Sequence, residues 1–330
     1  MAKIALAVHG GAGTILRSLM TPELEAEYRG GLEDGLRAGW DMLQRGGSSL
    51  DAVEAAVVSL EDFPLFNAGR GSVFTHEGKN EMDAAIMDGH MLDAGSVAFV
   101  KNVKNPIKLA RLVMEKTEHI LLAGNGASEF AREMAVEFAD DAYFFTEHRY
   151  EQLLKAREEG VVQLDHRADE IELLEAAVGS NINPESQIRT PKPIGTVGAV
   201  ACDVNGRLAA ATSTGGMTNK KFGRVGDTPI IGSGNYADPV CAVSCTGHGE
   251  YFMRGVTAYD VAARMKYKDL SLEDAARETI EHLTAIQGEG GLIAVDSKGN
   301  LTLPFNCEGM YRGWVAEGGV MGTAIYREGN

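Results

Sequence analysis

The sequence predicts a layered α+β fold, and two observations carry that expectation. Each half of the chain mixes strand-patterned runs with pairs of helical stretches, and a polar segment that adds little core joins the halves. Residues 3–8 form an apolar run that reads as a buried strand and ends in the glycine turn Gly10-Gly11-Ala12-Gly13. Thr21-Pro22-Glu23 starts a helix, with Thr as cap, Pro at the first helical position and acids in the first turn, and Gly46-Gly47 closes it. A second helix opens on the capping box Ser48-x-x-Asp51, and its Val53, Ala56, Val57 and Leu60 fall on one face. Residues 64–95 are rich in Gly, Asn and Asp, and strand character resumes at 96–100. Residues 107–114 and 128–138 have helical spacing.

Residues 151–192 change character. Acidic side chains crowd this segment, apolar patches are short, and it ends in Pro191-Lys192-Pro193, so a solvated linker is expected there. Two small-residue strands follow, 196–204 and 207–212, turned by Asn205-Gly206, a strong hairpin signal. Helices at 256–268 and 272–286, the latter capped by Ser271, precede a second hairpin of 292–295 with 301–305. The last strand is expected at 322–326.

Composition narrows the function. The 330 residues are 44% hydrophobic and 24% charged, enough for one large core. With 31 Lys and Arg against 47 Asp and Glu, the formal charge is −16, a field that repels nucleic acid and anionic lipid and favours a small-molecule substrate. The chain has no run of 18 apolar residues, and its start lacks the pattern of a signal peptide, so a cytoplasmic enzyme is expected. The four cysteines show no Cys-x-x-Cys spacing, which removes a disulfide framework and a zinc knuckle from consideration. Gly11-Ala12-Gly13 lacks the third glycine of a dinucleotide fingerprint, and neither a P-loop nor a Gly-x-Ser-x-Gly elbow occurs. The eight histidines form no His-Glu-x-x-His pair, and His9 and His248, each beside a glycine, read as satisfied turn or core histidines.

The informative stretches are Gly195-Thr196-Val197-Gly198, Thr212-Ser213-Thr214-Gly215-Gly216-Met217-Thr218-Asn219, Gly223-Arg224-Val225-Gly226-Asp227 and Ser244-Cys245-Thr246-Gly247-His248-Gly249-Glu250. With His9-Gly10-Gly11-Ala12-Gly13, Pro64-Leu65-Phe66-Asn67-Ala68-Gly69, Asp83-Ala84 and Met87-Asp88-Gly89, and in this order, they resemble the plant-type asparaginase and isoaspartyl peptidase family of N-terminal-threonine hydrolases. The resemblance covers nearly the whole chain outside the linker. It implies the four-layer αββα sandwich of N-terminal-nucleophile hydrolases, a single domain over 1–330 that cuts itself into chains 1–195 and 196–330, and a dimer of such αβ units.

A threonine hydroxyl is a poor nucleophile until a base lies beside it, and an N-terminal threonine carries one in its own α-amine, of reference pKa about 7.7 to 8.0. The resemblance therefore implies self-cleavage at Gly195-Thr196, where glycine permits the backbone geometry of an attack on the preceding carbonyl and Pro193 stiffens the approach. It further implies that Thr214 bonds the Thr196 hydroxyl and that Thr246 and the Gly247 N–H form the oxyanion hole. Arg224 would hold the substrate α-carboxylate through two guanidinium prongs, and Asp227 the α-ammonium. Asn67 corresponds to an asparagine near the scissile bond that supports processing. The loop from Leu60 to Arg70 resembles one that binds a structural sodium or potassium ion through the carbonyls of Leu60, Glu61, Phe63, Phe66, Ala68 and Arg70, with no cofactor required. The implied reaction is hydrolysis of L-asparagine and of β-aspartyl dipeptides. A glycosylasparaginase-like amidase and a zwitterion-binding module that never cleaves itself are the alternatives.

Overall fold

Two capped helices open the chain as their sequences require. In the computed structural model, which describes residues 3–162 and 195–327, strand β1 (Ala5–Gly13) leads to α1 (Pro22–Gln44) and α2 (Ser49–Asp62). The Thr21 hydroxyl accepts from the Leu24 N–H at 3.2 Å, and the Ser48 hydroxyl accepts from the Asp51 N–H at 3.1 Å. The helices approach closely because α1 turns glycines toward α2. A Cβ at Gly39 would lie 2.7 Å from the Ala52 carbonyl oxygen, and one at Gly35 would lie 3.1 Å from the Leu60 side chain.

Beyond them come β2 (Met82–Asp88), β3 (Asp93–Val100), α3 (Pro106–Lys116), β4 (Leu121–Ala123), α4 (Gly124–Glu133), the short α5 (Asp141–Phe144) and α6 (Glu147–Glu158). The second half holds β5 (Val197–Cys202), β6 (Leu208–Thr214), β7 (Asn235–Ala237), β8 (Cys241–Gly247), α7 (Gly249–Gly255), α8 (Thr257–Lys268), α9 (Leu272–Ala285), β9 (Gly290–Asp296), β10 (Leu301–Thr302), β11 (Gly309–Val315) and β12 (Met321–Tyr326).

Among the described residues the strands form two sheets, ordered β12-β11-β1-β5-β6-β2-β3-β4 and β10-β9-β8-β7. Strand periodicity distributes the core between them. In β5, Val197, Ala199 and Ala201 face a cluster shared with α1, α2 and α3, while Val200 and Cys202 face the small sheet and pack with Ala242, Ile293 and Val295. The outer face of the small sheet carries Val243, Cys245 and Leu292, covered by Val261, Ala262, Ala276 and Ile280 of α8 and α9. Helices thus lie outside, and two sheets meet inside, in an α+β fold.

Several expectations need correction. Strand β1 does not stop at residue 8; it runs to Gly13 through a bulge between His9 and Gly11. Gly10 makes this passage because a Cβ there would strike the Phe66 ring, and Gly11 has φ +120. Residues 64–95 are not all loop, since β2 crosses the sheet between β6 and β3. The helix expected at 128–138 is α4, shifted to Gly124–Glu133, and β10 is only Leu301–Thr302. The linker expected at 151–192 begins too early: α6 reaches Glu158 and buries Arg149, Gln152, Leu153 and Ala156. Its remainder from 163 lies outside the described residues. The four cysteines are buried and free.

Candidate active site

Sheet register brings the threonines together. Strand β5 pairs with β6 with Val197 opposite Ser213, so Thr196, just before β5, stands beside Thr214 at the end of β6. The Thr196 hydroxyl donates to the Thr214 hydroxyl at 3.1 Å, and Thr214 in turn donates to the Gly195 carbonyl at 3.2 Å. The Gly216 N–H donates to the same Thr214 oxygen at 3.0 Å, which fixes the direction of the chain of protons. Asn67, fully buried, donates through Nδ2 to the Gly195 carbonyl at 3.0 Å and to the Gly216 carbonyl at 2.8 Å, while its Oδ1 accepts from the Val73 N–H at 3.0 Å. The Gly195 carbonyl oxygen therefore sits between two donors.

Thr246 lies on β8 in the facing sheet. Its Oγ1 is buried and has no hydrogen-bond partner among the described residues, a costly arrangement for a hydroxyl unless something else comes to occupy it. Gly247 cannot be larger: a Cβ there would strike the Phe252 ring and lie 2.6 Å from the Glu289 carbonyl oxygen.

Arg224 and Asp227 ride on the loop between β6 and β7. Asp227 is 5% exposed, and its Oδ2 has no partner among the described residues. Burial pushes its carboxyl up to about 7, against the pull of the Arg224 guanidinium. Space beside the pair is kept open by Gly249, where a Cβ would lie 2.7 Å from Asp227 Oδ1 and 2.9 Å from Arg224 Nη2. Gly195, Thr196, Thr214, Arg224, Asp227 and Gly247 line one cavity of about 10 Å³, room for about one water while Gly195 remains in place. Thr246 adjoins it on β8, and Asn67 closes it from behind.

The sequence motifs named Glu250 without giving it work. Arg224 donates to it through Nε and Nη2, both at 3.0 Å, and His248 Nε2 lies 3.2 Å from the same carboxylate. Burial opposes ionisation of Glu250, but His248 and Arg224 together hold its carboxyl well below the usual carboxylate range. A signal existed: a guanidinium meant to stay in one pose needs a fixed acceptor, and Glu250 stands three residues after Gly247.

His9 is also missing from the expected set. It is fully buried and bonded at both nitrogens, to the Thr196 carbonyl at 2.9 Å and to the Ser244 hydroxyl at 2.9 Å. Burial pushes its pKa down to about 3, outweighing the bond to Thr196. It is a satisfied core histidine, yet one that touches the residue at the centre of the site.

The segment 60–70 carries Asn67. Two of its turns are tight enough to require glycine: a Cβ at Gly69 would strike the Glu61 carbonyl oxygen, and one at Gly71 those of Phe66 and Pro64, while the Leu60, Phe66 and Ala68 carbonyls accept from the Phe63, Ala68 and Gly71 N–H groups. The Arg70 guanidinium lies over the Tyr143 ring, 5.5 Å from its centroid. Among the described residues no group of three or more His, Cys, Asp or Glu is placed to hold a metal, and no helix is long and apolar enough to cross a membrane.

Comparison with known proteins gives the family. A family profile described as asparaginase matches residues 2–325. The chain is 49% identical to an isoaspartyl peptidase of Escherichia coli over 330 residues, covering 99% of this chain and 98% of that protein. It is 43% identical to an isoaspartyl peptidase/L-asparaginase of Xenopus laevis, covering 95% and 92%, and 43% identical to a plant-type L-asparaginase of Thermococcus kodakarensis, covering 95% and 97%. A match of this length, on a chain whose sheets bring Thr196, Thr214, Arg224 and Asp227 to one cavity, places the protein in the asparaginase family.

Proposed function

We propose that this chain is an amide hydrolase that cleaves β-aspartyl dipeptides and L-asparagine, with Thr196 as a nucleophile freed by self-cleavage of the Gly195-Thr196 bond. The observation that carries the reading is the hydroxyl pair Thr196–Thr214 at 3.1 Å, in a buried cavity that also holds Arg224 and Asp227. The relatives' names, isoaspartyl peptidase and L-asparaginase, agree with it.

In the first reaction the Thr196 hydroxyl attacks the Gly195 carbonyl carbon, and the peptide becomes an ester on Thr196. Negative charge develops on the Gly195 oxygen, where Asn67 Nδ2 and Thr214 Oγ1 already donate. Water hydrolyses the ester and leaves chains 1–195 and 196–330. In the second reaction the freed α-amine of Thr196 takes the hydroxyl proton as oxygen attacks the side-chain carbonyl of the substrate. The oxyanion falls to the Thr246 hydroxyl and the Gly247 N–H. The tetrahedral intermediate collapses, the amine leaves with a proton from the α-amine, and water frees the aspartate.

Arg224 and Asp227 take the α-carboxylate and α-ammonium. Glu250 takes the Nε hydrogen and one on Nη2, so both hydrogens of Nη1 and the second of Nη2 remain for a two-pronged contact with the substrate. None of these groups meets the leaving amine, so ammonia and an isopeptide-linked amino acid both fit, and the larger one adds binding in the transition state.

The layers of helices and sheets fit the four-layer αββα sandwich of N-terminal-nucleophile hydrolases, and the processed unit is proposed to pair into a dimer of αβ heterodimers. The resemblance of the 60–70 loop also points to a sodium or potassium ion held by its carbonyls, which would stiffen the loop that carries Asn67.

The test is a denaturing gel followed by N-terminal sequencing. Incubated without protease, the protein should give fragments of roughly 21 and 14 kDa, their shares of 35.3 kDa over 330 residues, with Thr196 first in the smaller. Thr196→Ala should stay whole and inactive. The processed enzyme should hydrolyse β-aspartyl-leucine with a higher kcat/KM than asparagine, leave α-aspartyl peptides intact and hydrolyse glutamine poorly. A processed, active Thr196→Ala protein, or preference for glycosylated asparagine, would overturn the proposal.

A further inference from the structure

A line of buried hydrogen bonds ends on the backbone of the nucleophile. Asn235 Nδ2 donates to the Thr212 hydroxyl at 2.9 Å, Thr212 and Ser244 hydroxyls lie 2.7 Å apart, Ser244 is 2.9 Å from His9 Nε2, and His9 Nδ1 is 2.9 Å from the Thr196 carbonyl. All of these side chains are fully buried except that of Thr196, which is 7% exposed.

The protons along the line can be assigned. A carbonyl oxygen only accepts, so Nδ1 carries the ring hydrogen. A neutral ring then offers Nε2 as an acceptor, and the Ser244 hydroxyl must donate to it. Ser244 oxygen is left to accept from Thr212, which accepts from Asn235. Every donor points the same way, toward Thr196, across strands β7, β6, β8, β1 and β5 of both sheets.

Two further features show that the fold makes room for this line. Thr212 and Ser244 stand two residues before Thr214 and Thr246 on the same strands, so they share the faces of those residues and lie one step deeper. The line is a floor beneath the reacting groups. Gly198, opposite His9 in the β1–β5 pairing, is glycine because a Cβ there would strike both Ser244 Oγ and His9 Nε2.

We propose that His9, held by Ser244, is a positioning residue that fixes the Thr196 carbonyl and so aims the nucleophile. This inference rests on the reading of Thr196 as nucleophile and adds what keeps it in place. Once Gly195 departs, Thr196 is a chain terminus lying just outside β5, and an untied terminus frays. Its carbonyl is then tied to β1 by His9. A reacting hydroxyl that wanders by a fraction of an ångström loses rate, while Arg224 and Asp227 bind substrate as before.

The experiment measures kcat and KM for β-aspartyl-leucine on fully processed, folded protein of three variants, His9→Leu, Ser244→Ala and His9→Asn, with uncut Thr196→Ala assayed beside them. His9→Leu should lower kcat about tenfold or more with KM within about twofold. Ser244→Ala, which leaves the His9 ring in place but frees its far side, should lower kcat in the same direction by less. His9→Asn, whose amide nitrogen reaches the Nδ1 position, should recover most of the loss. Thr196→Ala is the control on the underlying reading: if it hydrolyses substrate, that reading fails. If Thr196→Ala is inactive while His9→Leu and Ser244→Ala keep the wild-type kcat, or lose KM instead, His9 is only core and the positioning role is overturned. Should His9→Leu not fold, Ser244→Ala with wild-type kcat is sufficient to overturn it.

Discussion

Asp227 is a carboxyl deprived of water and left with an oxygen unbonded among the described residues, and its proton affinity follows from that. The ligand-free chain holds a proton there up to about pH 7. If Asp227 takes the substrate ammonium as proposed, it must do so in its charged form, so KM for β-aspartyl-leucine is expected to rise as pH falls through about 7, and kinetics from pH 5 to 9 check it. The folded pKa lies above the unfolded one, so the stability linked to this proton is fully present below pH about 4 and is lost as pH rises through about 7. Asp227→Asn, though inactive, should therefore melt higher than wild type at pH 8 and nearly equal to it at pH 4, by differential scanning fluorimetry. Arg224→Ala removes the proposed charged contact to the substrate carboxylate, worth roughly 2 to 5 kcal/mol in a desolvated site, which predicts a loss of about thirtyfold or more in kcat/KM. It should still cleave itself, because the Gly195 carbonyl is held by Asn67 and Thr214 instead. A variant that fails to process would assign Arg224 to the first reaction as well.

Helix α6 does for the loop what Asn67 does for the scissile carbonyl. Arg149, 1% exposed, donates through Nε to the Gly71 carbonyl and through Nη2 to that of Leu65, both at 3.0 Å, and so pins the loop that carries Asn67. Burial pushes its pKa down to about 10, which leaves it charged at neutral pH. Arg149→Met should cost about 3 kcal/mol or more in urea unfolding, since buried carbonyls lose charged donors, and should slow self-cleavage followed on gels. This helix was hidden in the sequence because its exposed face is charged and its buried face includes an arginine and a glutamine, a pattern that resembles linker. Caps were legible because they are local: Ser48 with Asp51 and Ser271 with Asp274 bond as the spacing requires. Strand β2 was not, because Met82–Asp88 is short, flanked by Gly and Asn, and buried through pairing with β6 and β3 that only the assembled sheet supplies. The same division holds in the site. Thr196, Thr214, Arg224 and Asp227 sit in motifs whose roles the resemblance supplies, whereas Glu250 shows its part only once the fold sets it against Arg224, and His9 only through a bond to Ser244 across 235 residues.

At the scale of the whole molecule, the large sheet alternates between the two proposed fragments. In the order β12-β11-β1-β5-β6-β2-β3-β4, β1 belongs to chain 1–195, its neighbours β11 and β5 to chain 196–330, and β2 to β4 to the first chain again. The fragments should therefore co-elute in size-exclusion chromatography after processing and separate only in denaturant. At a formal charge of −16, separated chains would also repel one another at low salt. The strand order also gives the enzyme a history that runs in one direction. Before the proposed cut between residues 195 and 196, folding is a first-order event within one chain; after it, the same sheet would be rebuilt only by a second-order encounter whose yield depends on concentration. Thr196→Ala taken through urea and diluted should regain its native circular dichroism at any dilution, and the processed enzyme should not. Unfolding by heat would then be recovered by the mature enzyme only in proportion to its concentration, and by the uncut chain at any dilution.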